Sequence, residues 1–208
     1  MKFVIFHGAF GNKNGNWFAY LKTELIKLKQ DVILEQFPVD DWNDIIRKGP
    51  NNKTTNQSLN SWLQVFEKKI LPNLDKNEQL CFIGHSLGPV FILHIVNKFD
   101  IQLDSAIFVQ PFMRSLKQKE AWPFDVVNAT FYKTDFNFNK LKKLIPTSYV
   151  IYSDNDQFVK PEFPLEFAKE IGSSIVLIKG AKHINADSGF TKLPLVLELC
   201  KSRLDPSI

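Results

Sequence analysis

The chain has 208 residues, 44% hydrophobic and 23% charged, which suits one soluble globular domain spanning 1–208. The net charge of +4 is spread out apart from Lys140, Lys142 and Lys143, so nucleic acid is not the expected partner. No apolar run approaches a membrane span, and the start "MKFVIFHGAFG" is too short in apolar residues for a signal peptide.

The nineteen phenylalanines suggest a thick aromatic core and an apolar pocket. Cys81 and Cys200 lie far apart in the chain and show no Cys/His metal spacing. They make no disulfide framework, which makes a reducing cytoplasm the expected location.

The chain alternates from its first residues. "KFVIFHG" reads as a strand. "NWFAYLKTELIKLK" carries Phe18, Leu21, Leu25 and Leu28 at helical spacing. "DVILEQFP" is a strand closed by Pro38. "NQSLNSWLQVFEKKILPNL" is a helix with Leu59, Trp62, Phe66 and Ile70 on one face. "QLCFIGHS" is a strand, and "LGPVFILHIVNKF" is a helix apolar on most sides, hence buried. "SAIFVQPF" is a strand, and 111–135 reads as irregular and aromatic. "NFNKLKKLI" is a short helix, "TSYVIYSDND" a strand and "PEFPLEFAKEI" a helix with proline near its start. "SSIVLIKGAKH" is the sixth strand, and "GFTKLPLVLELCKS" is a helix interrupted or begun late by Pro194.

Six strands alternating with six helices predict an α/β protein: a three-layer α/β/α sandwich around a six-stranded, mainly parallel sheet. A strand order of 2-1-3-4-5-6 would bring the ends of strands 1 and 3 together at a switch point, where ligands bind. Strand 1 ends in His7-Gly8, and strand 3 ends in Gly84-His85-Ser86.

Gly84-His85-Ser86-Leu87-Gly88 matches G-x-S-x-G, the nucleophile elbow. Such a pentapeptide arises by chance in roughly one chain in fifteen of this length, so the match alone is weak. The buried strand before it and the buried helix after it are the context the motif requires. The competing reading is a glycine-rich junction or a phosphate-binding turn, and the missing lysine argues against a P-loop.

A serine needs a base to become a good nucleophile. His7, His85 and His94 precede the acid or lie in the wrong place for the chain order Ser…Asp…His, and His94, within an apolar helix, reads as a core histidine. His183, in "IKGAKHINADSGF", follows the last strand and is the one placed to reach over the sheet edge. Asp154 and Asp156 both follow strand 5, and spacing alone does not choose between them. One of the two would then be a turn former. The Leu87 N–H, at the start of the helix, and the Ala9 N–H, in the loop "HGAFGNKNGN", are the expected oxyanion donors.

These residues resemble the α/β-hydrolase superfamily, and within it the small serine hydrolases related to retinoblastoma-binding protein 9 and bacterial YdeN. The likeness covers nearly the whole chain, through "VIFHGAFGNKNGNWFAYLKTEL", "GHSLG", "FNFNKLKKL", "YSDNDQFV" and "GAKHIN". It implies the minimal form of the fold, with no large cap. It also implies a Ser86–His183–Asp156 triad, choosing Asp156 over Asp154. Pro89 stands where the family often has a small residue, and a helix's first turn tolerates it. His-Gly replaces Pro-Gly at the head of the strand-1 loop.

The expected activity is hydrolysis of a small ester or amide through an acyl-enzyme, with no cofactor and no metal. His7, Trp42, Phe112, Trp122 and Phe158 are the expected pocket residues. Together they favour an apolar or aromatic acyl group. The competing readings are a non-catalytic ligand- or protein-binding module on the same scaffold and a flavodoxin-like nucleotide or flavin binder. The sequence names no protein partner.

Overall fold

Side chains alternate across a strand, so each strand of a covered sheet must be apolar in both directions. Strand β1 (Lys2–Phe6) sends Val4 and Phe6 into one hydrophobic cluster and Phe3 and Ile5 into another. Strand β3 (Leu80–His85) divides in the same way, with Phe82 on the first side and Cys81 and Ile83 on the second. Strand β4 (Ser105–Val109) sends Ala106 and Phe108 one way and Ile107 and Val109 the other. With β2 (Asp31–Leu34), β5 (Ser148–Tyr152) and β6 (Ser174–Leu177) they form one sheet ordered β2-β1-β3-β4-β5-β6. Every neighbouring pair is parallel, so the sheet is wholly rather than mainly parallel.

This computed structural model describes residues 1–204 apart from Thr54 and Lys76. Helices α1 (Phe18–Lys27) and α8 (Pro194–Lys201) cover one face, burying Phe18, Leu21, Leu25, Val196, Leu197 and Cys200. The other face is covered through Trp62 of α3 (Leu59–Val65), Phe91 of α4 (Gly88–Phe99), Leu141 of α6 (Phe138–Leu144) and Phe163 and Phe167 of α7 (Glu162–Ile171). The result is the three-layer sandwich. Helix α8 begins at Pro194, which resolves how that proline is used: it opens the helix.

The structure corrects three readings of secondary structure. The helix expected over 56–74 is α3 followed by a wide π-type turn at Phe66–Ile70 and a tight turn at Leu71–Asn73. Pro72 has no N–H to continue the helical ladder. The segment expected to be irregular contains a short helix, α5 (Trp122–Asn128), again opening on a proline. A further short helix, α2 (Trp42–Lys48), is capped by Asp41, whose side chain accepts the Asp44 N–H at 3.0 Å. Two turns of helix carry too few apolar repeats to register as a period.

Cys81 and Cys200, distant in sequence, are neighbours in the fold. Both are buried free thiols, and their mutual hydrogen bond, then burial, pushes the Cys200 thiol up. Among the described residues, no helix is long and apolar enough to cross a membrane.

Candidate active site

The switch between β1 and β3 opens the crevice. Gly8, just past β1, lies so close to the turn after β3 that a Cβ on it would stand 2.9 Å from the Ser86 Cβ. Ser86 itself has φ 58°, in the left-handed region that costs a non-glycine residue roughly 1 kcal/mol or more. Its N–H donates to the Val109 carbonyl at 2.9 Å, which holds the turn in that conformation.

The elbow glycines have steric rather than torsional reasons, since neither Gly84 nor Gly88 has a positive φ. A Cβ on Gly84 would meet the Pro89 nitrogen at 2.6 Å, and one on Gly88 would meet the Phe6 carbonyl oxygen at 2.7 Å. Pro89 occupies the first turn of α4, so the departure at this position leaves the elbow intact.

The loop after β5 supplies a carboxylate with four donors. Asp156 Oδ1 accepts the Phe158 and Val159 N–H groups at 2.8 and 3.0 Å. Oδ2 accepts His183 Nδ1–H at 2.6 Å and Gln110 Nε2–H at 2.5 Å. Burial alone would push this carboxyl up. The His183 ring and the N–H donors outweigh it, and Asp156 stays below the ordinary aspartate range. With Nδ1 committed to Asp156, Nε2 is the ring nitrogen of His183 left to act as a base. Asp154 is used differently. Its Oδ1 accepts the Gly180 N–H at 2.8 Å and ties the β5 turn to the β6 turn.

Ser86 and His183 both line a cavity of about 490 Å³. Trp42 and Phe158, two of the expected pocket residues, line it as well. Phe10 and Phe124 join them, and sequence reasoning missed both. Phe10 lies 5.1 Å from Trp42 and 5.5 Å from Phe124, Phe124 lies 4.9 Å from Phe158, and Phe158 stands edge-on to His183 at 5.6 Å. These rings make one continuous aromatic wall ending at the histidine. The cavity also has polar lining from Asn12, Asn16, Asn185 and Asp187.

Three expected pocket residues are elsewhere. His7 is fully buried beneath the loop, donating Nδ1–H to the Gly8 carbonyl at 2.8 Å and accepting the Phe37 N–H on Nε2 at 3.1 Å. Burial lowers its pKa to about 4, so it is a neutral strut. Phe112 is core, 1% exposed. Trp122 lines a separate depression with Pro50 and Asp125. It sits two positions before Phe124 on α5, and that offset on a helix turns the two rings away from each other.

His85 backs the histidine. Its Nε2–H donates to the His183 carbonyl at 3.0 Å, leaving a buried Nδ1 with no partner among the described residues. Burial, then the neighbouring His183, lowers its pKa to about 3. The loop donors sort themselves as well. Phe10, at φ 53°, gives its N–H to Gln57 Oε1 at 3.2 Å, and Gly11 gives its own to the Gly8 carbonyl at 3.2 Å. Among the described residues, no partner takes the N–H of Ala9 or of Leu87.

A serine in a strained turn at the switch of a wholly parallel sheet, sharing its crevice with an aspartate-bound histidine, is the arrangement of the α/β-hydrolases, a class solved structures bear out for the fold. The crystal structure of the ydeN gene product from Bacillus subtilis matches with a TM-score of 0.78 at 24% identity, over 97% of each chain. Est1E from Butyrivibrio proteoclasticus, solved with ferulic acid bound, matches with a TM-score of 0.65 at 16% identity, over 97% of this chain and 86% of that one. In sequence, YdeN of Bacillus subtilis (strain 168), whose name assigns it to the hydrolases, is 26% identical over 95% of this chain and 93% of its own length. Residues 3–202 match the serine hydrolase family. The chain belongs to that family and is a hydrolase.

Proposed function

We propose that this hydrolase cleaves a small ester or amide through an acyl-enzyme on Ser86. His183 Nε2 takes the serine proton as Oγ attacks the carbonyl carbon. The N–H groups of Ala9 and Leu87 receive the oxyanion. His183 then protonates the leaving group, and water repeats the sequence to free the acid and Ser86. Asp156 holds the ring and stabilises its charge in each half.

The observation that carries the reading is the strained Ser86 lining the same crevice as a histidine whose Nδ1 is bound to a buried carboxylate. The aromatic wall favours an apolar or aryl acyl group, and the polar lining of Asn12, Asn16, Asn185 and Asp187 favours a polar leaving group that is not anionic. A fluorophosphonate probe should label the wild-type protein, with the adduct on Ser86 by mass spectrometry. Equal labelling of Ser86→Ala would sink the assignment. Esters of graded acyl length and a feruloyl ester, run beside aminoacyl anilides, then separate esterase from amidase. Saturable binding of all of these without turnover would favour a binding scaffold instead.

A further inference from the structure

Ser86, Asp156 and His183 sit on the ends of β3, β5 and β6 or in the loops after them. The end of β4, which lies between β3 and β5 in the sheet, contributes none of the three, yet it hydrogen-bonds Ser86, Asp156 and the residue just before His183. The Val109 carbonyl accepts the Ser86 N–H at 2.9 Å. The next residue, Gln110, is completely buried and has φ 51°, a left-handed backbone that glutamine rarely adopts. Its N–H is bound to the Ile151 carbonyl at 2.8 Å, and the turn sends its side chain across the end of β5.

The carboxamide there is fully used. One Nε2–H donates to Asp156 Oδ2 at 2.5 Å. The other donates at 2.9 Å to the carbonyl of Lys182, the residue immediately before His183. Oε1 accepts the Ser153 N–H at 3.3 Å. Two acceptors on one side and a donor on the other fix which end of the amide is nitrogen. One side chain therefore grips the acid, the peptide that carries the base and the start of the acid's loop. A leucine or methionine would fill the same space and be cheaper to bury, since an amide in the core must find every partner.

We infer that Gln110 is the positioning residue of this site: it orients Asp156 and the His183 loop against each other and keeps a proton donor on Asp156 Oδ2 beside the histidine. This rests on the acyl-enzyme reading above. Gln110 touches no substrate. It acts by fixing the angle at which the carboxylate meets the ring, and reactive groups lose up to about 100-fold in rate when misplaced by around 1 Å.

Two variants test it against p-nitrophenyl butyrate, with the fluorophosphonate rate as a second readout. Gln110→Met keeps the bulk and removes all three hydrogen bonds. Its kcat should fall by about 100-fold with KM unchanged, because Gln110 itself does not line the substrate crevice. Gln110→Glu keeps the shape and makes the donor titratable. While protonated, its carboxyl donates to Asp156 in place of the amide; once ionised, it repels Asp156 and pins His183 in its charged form. The ratio of its kcat to wild type at the same pH should be highest in acid and fall as pH rises. A purely structural role predicts a flat ratio.

A folded Gln110→Met protein with kcat within twofold of wild type would overturn the inference, as would a flat Gln110→Glu ratio. Where Gln110→Met does not fold, the Gln110→Glu ratio decides. Labelling of wild type at Ser86 keeps the two proposals apart. If it is absent, the acyl-enzyme reading fails; if it is present with a flat ratio, only the role of Gln110 fails.

Discussion

The crevice beside Ser86 is matched in size by a second depression elsewhere in the molecule. A depression of about 610 Å³ lies between α3, α4 and the segment at 130–136, and it holds a histidine, two lysines, a tyrosine and an aspartate. By residue type it would be an equally good site. Its groups are committed elsewhere. His94 is bound to the Phe131 carbonyl at 2.8 Å, Lys98 to Glu67 at 2.7 Å, Lys133 to Asp135 at 3.4 Å, and the Tyr132 hydroxyl to Asp125. The crevice of about 490 Å³ differs in kind. It has a serine in a strained turn, a histidine whose Nδ1 is bound to a buried carboxylate, and the Ala9 N–H without a partner among the described residues. What separates the two is where unspent hydrogen-bonding capacity converges, and volume is a poor guide to that.

That contrast can be broken most decisively at Asp156. Asp156→Asn keeps the shape but presents an amide to the histidine, favouring the wrong tautomer, and kcat/KM should fall by about 10⁴-fold. Retention of activity within tenfold would remove the carboxylate from the chemistry.

Acid should act on the crevice next. His7 and His85 have pKa values lowered to about 4 and about 3, mainly by burial. The unfolded chain therefore binds protons near pH 6.5 that the folded chain refuses. Stability is complete above about 6.5 and is lost as pH falls toward 3, a few kcal/mol for each histidine. The lowered Asp156 works in the same direction. The urea midpoint, followed between pH 7 and 4, should drop steadily, and a flat profile would contradict the neutral state of both rings.

Smaller effects sharpen the comparison. Phe158→Ala removes one panel of the aromatic wall and should weaken turnover of long or aromatic acyl esters by roughly tenfold. Acetyl esters should be nearly unaffected, and a uniform loss would point to disturbance of His183 instead. His94→Gln, in the second depression, should leave kcat/KM within twofold for every ester, as measured on the same panel.

The strand order and the elbow were legible because both are written in local sequence. Apolar runs bounded by glycine mark the strands, and G-x-S-x-G between a buried strand and a buried helix marks the turn. His183 was legible as the histidine after the last strand. Asp154 and Asp156 were not separable by spacing, because both lie in one short turn. Only their partners divide them, Gly180 for one and His183 for the other. Gln110 and Gln57 left no signal. Each is a single polar residue whose partners lie far along the chain, Asp156 and Lys182 for the first and Phe10 and Asn128 for the second. Phe10 and Phe124 were lost among nineteen phenylalanines. Which face of a two-turn helix looks into the crevice is decided by packing, and Trp122 was chosen where Phe124 belongs.

The two elbow glycines carry a lesson for anyone hoping to move this turn into another protein. Each answers to an atom outside the pentapeptide: Gly84 to the ring of Pro89, and Gly88 to the main chain of Phe6 on the neighbouring strand. A five-residue graft would bring the glycines without the neighbours that make them necessary. The portable unit is the turn together with residue 89 and the adjoining strand, and any host must supply a parallel neighbour at that spacing before a serine placed there stands where Ser86 stands.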